Sequence, residues 1–188
     1  MKHILHVVGA RPNFMKLAPV LHALAAREAR QHVVHTGQHY DVNMSDALFR
    51  ELRLPVPDVN LGVGSGSHAE QTAEVLVGME RCLENLRPEV VLVYGDSNSA
   101  MAATLAAAKA GVPVGHVEAG LRSQNGRTIN DINRVITDRL ATWHFTPSAD
   151  ADQNLLAEGT GDASISRVGN VMIDTLTRLL PAASACRT

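Results

Sequence analysis

The sequence predicts an α/β domain of the Rossmann-like, doubly wound type, built on a parallel sheet. Short apolar runs of strand length alternate along the chain with stretches of helical period, the pattern of repeated βαβ units. The clearest run, Val90-Val91-Leu92-Val93-Tyr94, lacks the polar alternation of a half-solvated strand and suits a strand covered on both faces. With 45% hydrophobic residues but only 3% aromatic ones, the 188-residue chain must fill its core with Ala, Val, Leu and Ile. No composition shift marks a second domain, so one domain over residues 1–180 and a tail over 181–188 are expected.

Ile4 to Val8 opens as a strand, Gly9-Ala10-Arg11-Pro12 breaks it, and Asn13 to Ala26 follows as a helix with Phe14, Leu17, Leu21 and Leu24 on one face. His32 to Thr36 reads as a second strand ending at Gly37-Gln38-His39, and Ser45 to Leu52 has helical spacing. Pro55 and Pro57 begin a loop that continues through the Gly- and Ser-rich stretch Asn60–Ser67. A helix from His68 to Leu86 stops at Pro88. Val90–Tyr94 is a strand, and Ser97, Asn98 or Ser99 can cap the Ala-rich helix that runs to Lys109 and closes at Gly111.

Val112 to Val117 is the next strand, followed by Glu118–Ser123, a polar loop over Gln124–Thr128 and a helix over Ile129–Ala141. Strands at Trp143–Thr146 and Ser164–Val168 flank a helix over Ala149–Glu158, and an amphipathic segment, Val171–Leu180, ends the domain. Ala182–Ala185 reads as unstructured.

With 17 basic and 19 acidic residues there is no basic footprint, and the six aromatics offer no stacking platform, so nucleic acid is an unexpected partner. No stretch approaches the roughly 18 apolar residues of a membrane span. Cys82 and Cys186 have neither metal spacing nor a disulfide framework, and the N-terminus reads as a strand; a reducing, cytoplasmic setting is expected. Gly-x-Gly-x-x-Gly, a Walker lysine motif, Gly-x-Ser-x-Gly and His-Glu-x-x-His are all missing, which disfavours a nicotinamide cofactor and a metal.

Open parallel sheets bind ligands at the carboxyl ends of their strands. Those ends carry Arg11, then Gln38 and His39, then Asp96, then Glu118: a cation, an imidazole and two carboxylates that could face one crevice. Each also has a plainer reading. Arg11 could hold a loop or bind phosphate. Asp96 could cap the next helix, and His39 could be a surface residue. Glu118, at a buried strand end, needs a partner or a raised pKa, and Arg122 is its candidate partner. Lys16 could neutralise a phosphate or be solvated, while Arg134 and Asp138 have the spacing of an i,i+4 ion pair.

Together Gly9-Ala10-Arg11-Pro12-Asn13-Phe14-Met15-Lys16, Gly37-Gln38-His39-Tyr40-Asp41, Val93-Tyr94-Gly95-Asp96-Ser97, Gly115-His116-Val117-Glu118-Ala119-Gly120-Leu121-Arg122-Ser123 and Asn133-Arg134 closely resemble the non-hydrolysing UDP-N-acetylglucosamine 2-epimerases. The resemblance runs from Lys2 to about Leu180 and covers the family's N-terminal half. It implies one half of a GT-B fold, with the C-terminal UDP-binding domain absent from this chain. It also implies inversion at C2 of UDP-N-acetylglucosamine through UDP elimination and re-addition, for polysaccharide precursors, without metal or cofactor.

By the same resemblance Asp96 and Glu118 are the acid/base carboxylates, Arg11 contacts UDP with Lys16 nearby, and Gln38 and His39 line the cleft. Asn130 stands where the family has a catalytic glutamate, and Asp131 retains the second acid of that motif, the candidate third carboxylate. The implied partners are a UDP-sugar, the C-terminal domain or fragment of the same enzyme, and a second copy in a homodimer. The isolated half is expected to turn over poorly. Another UDP-N-acetylhexosamine as substrate, a hydrolysing activity, and a non-catalytic half-domain are the rival readings.

Overall fold

The computed structural model describes residues 2–37, 49–123 and 128–185, with side chains as far as Pro181. Its strands are β1 (His3–Val8), β2 (Arg30–His35), β3 (Val59–Asn60), β4 (Val90–Tyr94), β5 (Val114–Val117), β6 (Trp143–Thr146) and β7 (Ile165–Arg167). They form one parallel sheet in the order β3-β2-β1-β4-β5-β6-β7. The helices are α1 (Arg11–Ala25), α2 (His68–Leu86), α3 (Asn98–Lys109), α4 (Ile129–Leu140), α5 (Ala149–Ala157) and α6 (Val171–Ala185). The chain winds outward from β1 to β3, then returns to β4 on β1's other side. The resulting switch point opens a crevice at the carboxyl ends of β1 and β4.

Both faces of the sheet are covered, as its apolar strands require. Leu5, Val7, Val91 and Val93 pack with Val75, Met79 and the small residues Ala102, Ala103, Ala106 and Ala107 of α2 and α3. Those alanines let α3 lie close to the strands, and α4 packs against α3 in turn. On the opposite face Ile4, Val8, Leu92, Tyr94 and Val117 meet Phe14, Leu17 and Leu21 of α1, with Val171 and Leu179 of α6 at the margin. His6 lies on this second face, fully buried. Its Nδ1 is 2.7 Å from the Tyr94 hydroxyl and its Nε2 2.9 Å from Gln31 Oε1.

Local sequence sets most helix boundaries. Ser67 and Glu70 form a reciprocal capping box at the start of α2, which ends at Arg87 in a left-handed conformation just before Pro88. Ser97 caps α3 through Ala100 N. Expected and observed boundaries differ in a few places. Helix α1 begins at Arg11 rather than Asn13, because Pro12 occupies the first turn, where a missing N–H leaves nothing unsatisfied. Strand β5 starts at Val114 because Val112 N closes α3 by donating to Ala107 O at 2.9 Å.

Helix α6 continues to Ala185, so Ala182–Ala185 is helical rather than unstructured. Alanine is the strongest helix former, and Pro181 removes only one backbone donor. Of the helix expected over Ser45–Leu52, residues 45–48 lie outside the described residues, and residues 49–51 are helical. Among the described residues no helix is long and apolar enough to cross a membrane.

Candidate active site

The carboxyl end of β5 delivers Glu118 in a strained conformation. Its φ is +73°, in the left-handed region, where a non-glycine residue costs on the order of 1–3 kcal/mol. The surrounding backbone holds it there. Glu118 N and Ala119 N both donate to Phe145 O on β6, at 3.0 and 3.2 Å, and Gly95 N donates to Val117 O at 3.0 Å. Gly120, φ +80°, completes the turn where a Cβ would lie 2.4 Å from the carbonyl oxygen of Ala151.

The strain aims the Glu118 carboxylate back toward α1. Lys16 Nζ lies 2.7 Å from Glu118 Oε1, with both side chains largely buried. Gly95 makes this contact possible, since its φ is +68° and a Cβ there would sit 2.8 Å from Lys16 Nζ. Asn13, one turn before Lys16, donates to Tyr94 O at 2.8 Å and accepts from Ala10 N at 3.0 Å, fastening the start of α1 to the end of β4.

Asp96 follows Gly95 and faces α4. Arg134 Nη2 lies 3.0 Å from Asp96 Oδ2 and 3.3 Å from Glu118 Oε1, so one guanidinium nitrogen joins the two carboxylates. Asn130 Nδ2 donates to Asp96 Oδ2 at 2.9 Å, and Asn133 Nδ2 donates to Asp96 O at 3.0 Å. Asn133 also donates to Asn98 Oδ1 at 3.1 Å, and Asn98 Nδ2 reaches Gln71 Oε1 at 3.0 Å and His68 Nδ1 at 2.9 Å. A groove of about 640 Å³ opens above this network, with Arg11, His68, Gln71, Asp96, Asn130 and Asn133 among its lining.

Of the residues singled out in the sequence, the structure brings Lys16, Asp96 and Glu118 together and places Arg11 at the groove. Gln38 and His39 lie outside the described residues. Asp131 sits elsewhere, 2% exposed in the capping box of α4. It accepts from the Ser123 hydroxyl, from Thr128 Oγ1 at 2.5 Å and from Ser123 N at 2.9 Å. These bonds, the Ser123 hydroxyl's above all, hold its carboxyl well below the usual carboxylate range.

Several expected pairings are replaced. Ser97, not Asp96, caps α3. Glu118 pairs with Lys16 and Arg134 rather than Arg122, which instead bonds Asp138 and Glu158. The i,i+4 pair Arg134–Asp138 does not form, because Asp138 turns inward to His116 and Arg122. Asn130, Asn133 and Arg134 also reach Asp96; the resemblance named Asn130 and the Asn133-Arg134 motif, but spacing assigned none of them to the crevice. Their signal was present in one turn of α4 that presents all three to the end of β4.

A family model described as UDP-N-acetylglucosamine 2-epimerase matches residues 22–187 of this chain. The chain belongs to the UDP-N-acetylglucosamine 2-epimerase family. A UDP-N-acetylglucosamine 2-epimerase homolog of Methanococcus maripaludis is 47% identical over 94% of this chain and 49% of its own length. The Methanocaldococcus jannaschii UDP-GlcNAc 2-epimerase, solved in complex with UDP-GlcNAc and UDP, superposes with a TM-score of 0.94 at 42% identity, covering 98% of this chain and 51% of that one. The Neisseria meningitidis UDP-GlcNAc 2-epimerase bound to UDP-GlcNAc gives 0.91 at 34% identity, covering 98% and 50%. This epimerase-family chain thus spans about half the length of its relatives, matching their N-terminal half, one Rossmann-like half of a GT-B fold.

Proposed function

We propose that this chain supplies the proton-transfer half of a non-hydrolysing UDP-N-acetylglucosamine 2-epimerase, which interconverts UDP-N-acetylglucosamine and UDP-N-acetylmannosamine. The observation that carries the reading is the Arg134-bridged pair Asp96 and Glu118 at the mouth of the crevice, in a chain of this family. The C2 hydrogen of the sugar is weakly acidic, and its removal needs a positioned carboxylate close to the carbon. Departure of UDP from C1 leaves a 2-acetamidoglucal, and UDP adds back while a proton arrives on the opposite face.

In this reading Asp96 and Glu118 are the two proton carriers. Lys16 and Arg134 hold them in place and favour the negative charge that each must recover after a transfer. Arg11, at the groove, meets the leaving diphosphate, and the family resemblance assigns Gln38 and His39 to the sugar. Asp131 fixes the first turn of α4, so that Asn130, Asn133 and Arg134 face Asp96, and it takes no proton itself.

A C-terminal half of the same kind closes the crevice, excludes water and adds contacts to UDP. Without it turnover is slow. The proposed setting is a cytoplasmic homodimer serving polysaccharide precursor synthesis. The test is to incubate the chain, with a C-terminal half supplied in trans, with UDP-N-acetylglucosamine in deuterated water. Deuterium at C2 together with UDP-N-acetylmannosamine is the expected result. Accumulation of UDP and free N-acetylmannosamine would replace this reading with a hydrolysing one, and no exchange would overturn it.

A further inference from the structure

His116 is fully buried on β5, and both of its ring nitrogens face acceptors. Nδ1 lies 2.6 Å from Asp138 Oδ1, and Nε2 lies 2.8 Å from Gly95 O. Asp138, whose other oxygen accepts from Gly120 N at 3.1 Å and Arg122 Nη1 at 2.8 Å, is held as a carboxylate. The ring therefore bridges the Asp138 carboxylate and the Gly95 carbonyl inside the protein.

Those two bonds end on the two segments that carry the proposed proton carriers. Gly95 immediately precedes Asp96. Asp138, through Gly120 N and Arg122, clamps the turn that begins at the strained Glu118. Arg122 extends the clamp with a two-pronged contact to Glu158, at 2.8 and 2.6 Å, and Asn154 secures Gly120 O at 2.9 Å. We infer that His116 is a positioning residue, a cross-brace between the Gly95–Asp96 turn and the Glu118–Arg122 turn that sets the separation of the two carboxylates. It touches neither carboxylate and acts only through the two segments. The catalytic consequence rests on the epimerase reading above, whereas the geometric claim stands on these bonds alone.

The experiment compares the chain with its His116→Gln variant, and with Asp138→Asn should the first not fold. In the variants, ¹³C-carboxyl resonances of both Asp96 and Glu118 should shift while methyl resonances of Leu5, Val7 and Met79 stay in place. Incorporation of deuterium at C2 of UDP-N-acetylglucosamine should fall at least 100-fold, with the half-saturating concentration changed less than threefold. Unmoved carboxyl resonances in a folded variant would overturn the cross-brace. If the unmodified chain exchanges no C2 proton even with a C-terminal half present, the epimerase reading fails and the carboxyl resonances still decide this one.

Discussion

The Thr175 hydroxyl on α6 donates to the carbonyl of Met15 on α1 at 2.6 Å. Met15 O is the group that Pro19, four residues on and without an N–H, leaves unclaimed inside α1. A defect in one helix is thereby the attachment point of another. Thr175 is 2% exposed, so water cannot replace it. Thr175→Val should lower unfolding stability by about 1–3 kcal/mol, the cost of an unsatisfied buried carbonyl. In a Pro19→Ala background the restored helix bond should remove most of that loss. Denaturant titration of the single and double variants measures the coupling.

Gly95 has no room for a side chain. Gly95→Ala forces a left-handed φ on alanine, which costs about 1–2 kcal/mol, and directs its methyl at Lys16 Nζ, 2.8 Å from where the new Cβ would lie. The Lys16–Glu118 pair should separate in a domain that still folds. C2 exchange is expected to drop by at least tenfold, and an unchanged rate would show that Lys16 does not act on Glu118.

Acid should destabilise the domain through His6. Burial lowers its pKa from 6.5 to about 4. The unfolded chain therefore binds a proton that the folded one refuses, and stability is intact above pH 6.5 and lost as pH falls toward 4. At about 1.4 kcal/mol per unit the full effect is on the order of 3 kcal/mol. Burial lowers His35 as well, in the same direction. Urea titrations at intervals between pH 7 and pH 4 should show this slope, and His6→Gln should reduce but not abolish it.

Asp131 predicts a second acid effect in a lower window. Its folded pKa is depressed by the Ser123 and Thr128 hydroxyls, so its contribution is present above the usual carboxylate range and disappears as pH falls through the depressed value. Asp131→Asn should lower the melting temperature at neutral pH and loosen the start of α4. The gap between variant and parent should close in strong acid, as read by thermal melts followed by circular dichroism.

What could be read from the sequence was what local chemistry decides. Ser67 with Glu70 and the breaker Pro88 set α2 to the residue, and the apolar run Val90–Tyr94 could only be a covered strand. Asp96 and Glu118 drew notice because strand ends in a parallel sheet converge, whereas Lys16, inside α1, was read from its charge alone. Pairings that depend on which way a helix faces were not legible. Arg134 and Asp138 have ion-pair spacing, but α4 points Asp138 at buried His116 and Arg134 at the crevice, and spacing carries no information about that rotation. Asp131 shows the same limit, since an acid at the third helical position serves a cap as readily as a reaction.

If Asp96 and Glu118 exchange the C2 proton, removing either carboxylate alone must suppress that exchange. C2 deuterium incorporation into UDP-N-acetylglucosamine should be followed by NMR for the chain with a C-terminal half in trans, and for its Asp96→Asn and Glu118→Gln variants. A loss of about 100- to 10,000-fold is expected in each, the usual worth of a positioned acid or base, with the fold and UDP binding retained. Exchange at the parental rate in either variant would contradict it.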